Sequence, residues 1–119
     1  MTEKTGSYMD LIAWQQAMDL AVAVYGATKS WPKEELYGLT SQVRRAASSV
    51  PANIAEGYGR EVRGSYLRIA QGSLKELETQ LLIAERTGIA SNGTAASLLA
   101  STESVGTLLR LLIRKLSAD

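Results

Sequence analysis

Few side chains in this sequence can do acid–base, redox or metal chemistry, and the two most versatile types are missing. Among its 119 residues there is no Cys and no His. Lack of Cys removes the thiolate nucleophile and any disulfide framework, and fits a reducing compartment. Lack of His removes the commonest general base near neutral pH and the commonest imidazole metal ligand. A di-metal carboxylate bundle needs Glu-x-x-His pairs projecting inward, which this chain cannot supply. Glu76, Glu78 and Glu85 remain, but no second cluster or nucleophile accompanies them, so they read as surface charges. No catalytic residue, cofactor site or metal site is expected.

Arginine carries the other available chemistry. Arg44, Arg45, Arg60, Arg63 and Arg68 against Glu56 and Glu61 leave residues 44–68 locally at +3, while the whole chain is only at +1. The planar guanidinium fork bonds two phosphate oxygens at once, and the Gly57-Tyr58-Gly59-Arg60 turn offers amides beside a ring able to stack on a base. Arg44, Arg60, Arg63 and Arg68 are therefore the nucleic-acid contact candidates. Ion pairs with neighbouring helices are the plainer account of the same residues. Gly57 and Gly59 form no phosphate-binding glycine motif, because no strand precedes them and no Gly-Lys-Ser/Thr follows.

A third cluster is polar and compact. Gln42, Arg45, Ser49, Ala52 and Glu56 succeed one another at steps of three and four, flanked by Ser41 and Asn53, so they share one face of a helix. A face that only meets water is usually filled with Lys and Glu. Here Ser48, Ser49, Ala52, Asn53 and Ala55 are short and permit close approach of another backbone. Gln42, Arg45, Ser49, Asn53 and Glu56 are the oligomer-interface candidates. Two other readings stay open: a solvated face with small residues, and a ligand or enzymatic module using Arg45, Asn53 and Glu56 inside an oligomer channel.

Four amphipathic segments must position these residues, at about 11–29, 39–57, 64–87 and 93–117, with no place for strands. In the first, Leu11, Trp14, Met18, Ala21 and Tyr25 fall on one face and Asp10 can cap it. Pro32 ends it by pushing Trp31 out of the helical region, and residues 33–36 can form one turn. The second buries Leu39, Val43, Ala46, Ala47, Val50 and Ile54 despite Pro51 in its interior, with Gly57 and Gly59 as stop signals. That proline removes a backbone bond and implies a kink serving either a partner or the protein's own core.

The third segment is the clearest, with Leu67, Ala70, Leu74, Leu77, Leu81 and Ala84 in unbroken steps and Gly88 as C-terminal cap. The fourth stacks Leu98, Thr102, Val105, Leu109, Leu112 and Leu116 behind an Asn92 cap. Leu82, Leu99 and Leu111 fall on outward faces, together fitting a partner-covered surface. Short links between such segments force antiparallel neighbours. The expected architecture is all-α, a single antiparallel up-down-up-down four-helix bundle spanning 1–119. The composition, 45% hydrophobic and 21% charged, is that of a globular protein. No run approaches the ~18 apolar residues of a membrane helix, and residues 1–10 lack the regions of a signal peptide, so a cytoplasmic protein without a membrane partner is expected.

These strings resemble the bacterial four-helix-bundle family named after ribosomal-RNA intervening sequences, which also includes accessory variability determinants of diversity-generating retroelements. The carriers are Trp14-Gln15-Gln16-Ala17, Pro32 with Glu35, the stretch from Tyr37 through Ala47, the stretch from Ser49 through Gly57, and the block from Ile69 to Glu78. The resemblance implies a homopentamer, a barrel of bundles around a central channel. It also implies, as partners, RNA or DNA, or a nucleic-acid enzyme such as a reverse transcriptase. One departure is that about three residues are missing between Tyr66 and the Ile69-Ala70 pair, which rotates the upstream turn by ~60°.

Overall fold

The structure is a computed structural model describing residues 7–59 and 63–117. It contains four helices, α1 (Ile12–Thr28), α2 (Leu39–Tyr58), α3 (Arg63–Arg86) and α4 (Asn92–Ser117), and no strand among the described residues. The longest, α4, measures about 39 Å at 1.5 Å per residue, while the whole chain extends 46 × 26 × 24 Å. The helices must therefore lie side by side. Each packs against two others, α1 on α2 and α4, α3 on α2 and α4, in a ring whose centre is one continuous apolar core.

The third helix follows its predicted stripe throughout: Leu67, Ala70, Leu74, Leu77, Leu81 and Ala84 are all buried. Gly88 closes it just past Arg86, its φ of +78° letting the Ala90 amide turn back onto the Ala84 carbonyl at 3.0 Å. The second helix likewise buries Val43, Ala46, Ala47, Val50 and Ile54. Pro51 is buried within it, and Gly57 lies inside and buried, so the helix stops at Gly59 alone.

The first helix differs from expectation. Its buried line is Ala13, Ala17, Leu20, Ala21, Val24 and Thr28, while Met18 and Tyr25 are exposed and Leu11 and Trp14 only partly covered. Asp19 is the only charged residue of α1. A helix apolar almost all round gives periodicity little to choose from, and the small Ala13 and Ala17 side chains fit where neighbouring helices come close.

Two caps also differ. Asp10 belongs to a 3-10 turn, Tyr8–Asp10, capped by Ser7, so the extended residue before α1 is Leu11, without a side-chain cap. At α4 the cap is Ser91, one residue before Asn92: its Oγ accepts from the Thr94 amide at 3.2 Å. Trp31 leaves the helix before Pro32 as expected and is buried. Lys33–Glu35 forms the single turn, and the Glu35 carboxylate accepts from the Leu39 amide at 3.4 Å. By length and mean hydropathy alone, α4 also qualifies as a possible membrane span, but its Ala95, Leu98, Thr102, Val105 and Leu109 line the core.

Candidate assembly ridge and basic groove

The exposed side of α2 is a ridge between two grooves of opposite character. Toward α1 the groove is apolar, about 470 Å³, lined by Trp14, Met18, Val22, Tyr25, Pro51 and Ala52 among others. Val22 is 66% exposed. Toward α3 the groove is polar, about 460 Å³, lined by Gln42, Arg45, Ser49, Ser73, Glu76 and Gln80. The short residues foreseen for this helix form the crest between them, with Ser48, Ala52 and Ala55 on the apolar side.

The five interface candidates divide by what they touch. Ser49 and Asn53 are half-buried and bonded inside the protomer. The Ser49 and Ser73 hydroxyl oxygens are 2.8 Å apart, and the Asn53 amide donates to the Ser49 carbonyl at 2.8 Å and its hydroxyl at 3.0 Å. These short side chains thus let α3 approach α2. Gln42, Arg45 and Glu56 are exposed on the ridge, and the Gln42 and Arg45 side chains bond to none of the described residues. Arg45 lines the polar groove, while Asn53 and Glu56 line neither groove beside α2. Of the three leucines expected outside, Leu111 is 51% exposed, Leu82 half-buried, and Leu99 packs against the core.

The four arginine candidates do not form one patch. Arg60 lies outside the described residues, as does the side chain of Arg63, whose backbone opens α3. Arg44 turns toward α1: its Nε–H donates to the Thr28 hydroxyl at 2.8 Å, and its guanidinium carbon lies 5.1 Å from the Tyr25 ring centroid. Arg68 is exposed on the opposite side of the bundle, in a groove of about 550 Å³ between α3 and α4 that also takes in Gln71, Lys75, Glu78, Glu103 and Arg110. Sequence reasoning missed this groove. Its signal was the matched steps of three and four in Arg68-Gln71-Lys75 and Glu103-Gly106-Arg110, on the two helices that a five-residue link folds together.

Fold and faces define a helical bundle whose distinctive features are open surfaces and grooves between helices. Residues 9–110 match the family described as 23S rRNA-intervening sequence protein, and the chain belongs to that family. A crystal structure of a protein of unknown function from the S23 ribosomal protein family of Bacteroides thetaiotaomicron VPI-5482 is similar over 87% of this chain and 96% of that one, with a TM-score of 0.79 and 21% identity. At that identity the likeness is one of fold. No curated protein matches the chain significantly.

Proposed function

We propose that this protein is a non-enzymatic scaffold that assembles with copies of itself across the α2 ridge, as a homopentamer, and serves as an accessory to RNA or to an enzyme acting on it. The observation that carries the assembly half is the outer side of α1, where Ile12, Met18, Val22 and Tyr25 stand exposed on a helix with a single charge. A surface helix normally turns a charged face to water, and one that is apolar all round belongs inside something larger. Ala52 and Ala55 continue that apolar surface onto the ridge, and Gln42, Arg45 and Glu56 supply a polar rim, the usual anatomy of a protein interface. Ser49 and Asn53 then act by shaping α2 against α3.

The RNA half is supported by the family's name, which ties it to intervening sequences of 23S rRNA, and by the exposed Arg68. Light scattering on the purified protein tests assembly: a mass near five subunits is expected, and a clean monomer at micromolar concentration overturns it. Mobility shifts with structured RNA and duplex DNA over a salt series test the other half, because phosphate contacts weaken steeply as salt rises. Absence of binding at low salt overturns that part.

A further inference from the structure

The α3/α4 groove is electrically divided along its length. The short link makes α3 and α4 antiparallel, and a Cβ on Gly106 would lie 3.4 Å from the Leu74 Cδ2, which fixes their register. Residues 68 and 71 of α3 then stand level with residue 110 of α4, and residues 75 and 78 with residues 102–105. In the second half Lys75 bonds Glu78 at 3.3 Å and Glu103 adds a negative charge. The first half holds Arg68, Gln71 and Arg110 with no carboxylate among the groove residues at their level. Glu103 is seven residues from Arg110, about 10 Å along the helix axis.

Arg110 is held in place. Its Nη2 donates to the Thr107 hydroxyl at 3.1 Å, and its Nη1 lies 3.7 Å from where a Cβ on Gly106 would be. The guanidinium lies alongside the Gly106 backbone, at van der Waals distance from where a Cβ would be. Arg68 stands exposed across from it and bonds to none of the described residues. Two guanidinium groups lining one groove with no carboxylate at their level offer an anion two planar forks, and a fork already positioned loses less freedom when it binds.

We infer that the Arg68–Gln71–Arg110 end of this groove binds a backbone phosphate of a nucleic acid, the two guanidinium groups taking its oxygens and the Gln71 amide adding a further donor. This rests on the nucleic-acid half of the proposed function and assigns it a place. Lys75 and Glu103 bound the site, so the strand runs outward past the start of α3 and the end of α4.

The test is fluorescence anisotropy on the full chain with a labelled single-stranded RNA, the DNA of the same sequence, and competition by inorganic phosphate and by polyglutamate. Arg68→Gln and Arg110→Gln should each weaken RNA binding about tenfold, and together, by removing one phosphate contact, should flatten the plot of log affinity against log salt by about 0.7. Glu103→Gln should tighten RNA binding. Circular dichroism on each variant checks that it folds, and the gain expected of Glu103→Gln cannot come from misfolding. Wild-type binding unchanged in the arginine variants overturns the groove while leaving nucleic-acid binding intact. No binding by the wild type even at low salt overturns both. Competition by polyglutamate equal to that by RNA assigns the groove to an acidic peptide and overturns the phosphate. Equal affinity for RNA and DNA fits a backbone contact, and competition by millimolar inorganic phosphate supports it further.

Discussion

The Nε–H of Arg44 donates to the hydroxyl of Thr28 at 2.8 Å, and that hydroxyl in turn donates to the Val24 carbonyl at 2.9 Å. A buried hydroxyl at the end of α1 is thereby used in both directions, and a charged side chain of α2 is tied to it. With the guanidinium also lying over the Tyr25 ring, the contact fastens the C-terminal turn of α1 to α2. Arg44→Ala should lower stability by about 2 kcal/mol, the order of a charge-assisted bond plus a half-exposed cation–π contact. Urea unfolding at fixed protein concentration measures it. A cycle with Thr28→Val should show coupling of about 1 kcal/mol, and RNA affinity should stay at the wild-type value.

The buried Thr40 is the counterexample. It is 2% exposed and its hydroxyl has no hydrogen-bond partner among the described residues, so the fold desolvates a polar group without recompense. Valine has nearly the same shape and no hydroxyl. Thr40→Val should therefore raise stability by about 1 kcal/mol; a loss of that size in the same urea titration would mean the hydroxyl has a partner in solution.

Two glycines should respond to alanine with opposite signs. Gly88 has φ +78°, a conformation that costs an L-residue about 1–2 kcal/mol, so Gly88→Ala should destabilise by that order. Gly72 lies within α3, and a Cβ there meets nothing within 4 Å. Gly72→Ala should stabilise by about 0.5–1 kcal/mol, the helix-interior difference between the two residues. Thermal unfolding of both variants provides the comparison.

How much could be read in advance depended on how many faces each helix has. α3 carries one unbroken apolar line, with only scattered apolar residues such as Ile69 and Ile83 outside it, so Leu67 through Ala84 were legible residue by residue. α1 carries one charge, Asp19, and apolar residues on every side. Its line was read through Trp14, Met18 and Tyr25, when the core takes Ala13, Ala17, Leu20 and Val24. Those misplaced residues instead mark the apolar groove beside α2. The compactness of α2 was visible, yet its immediate cause was not, because Ser49 meets Ser73 across 24 positions. Arg44 and Arg68 looked alike in a charge tally. Only packing separates the one bonded to Thr28 from the one left in a groove.

Assembly gives the sharpest contrast between neighbouring surfaces. Val22 on α1 and Ala52 on α2 line the same apolar groove and are both exposed, so Val22→Lys and Ala52→Arg should leave the protomer's own fold undisturbed. In the assembled protein each would place a long charged side chain against a neighbour's apolar surface, where loss of a central contact weakens association by at least about 2 kcal/mol per interface. Both variants should run as monomers in light scattering at concentrations where the wild type is assembled, with unchanged helical content by circular dichroism. Ile83→Lys is the control, because Ile83 is a comparably exposed apolar residue, on α3 and away from that groove; it should assemble as the wild type does. If Ile83→Lys dissociates the protein while Val22→Lys does not, the neighbour sits on α3, and the apolar side of α1 needs another partner to cover it.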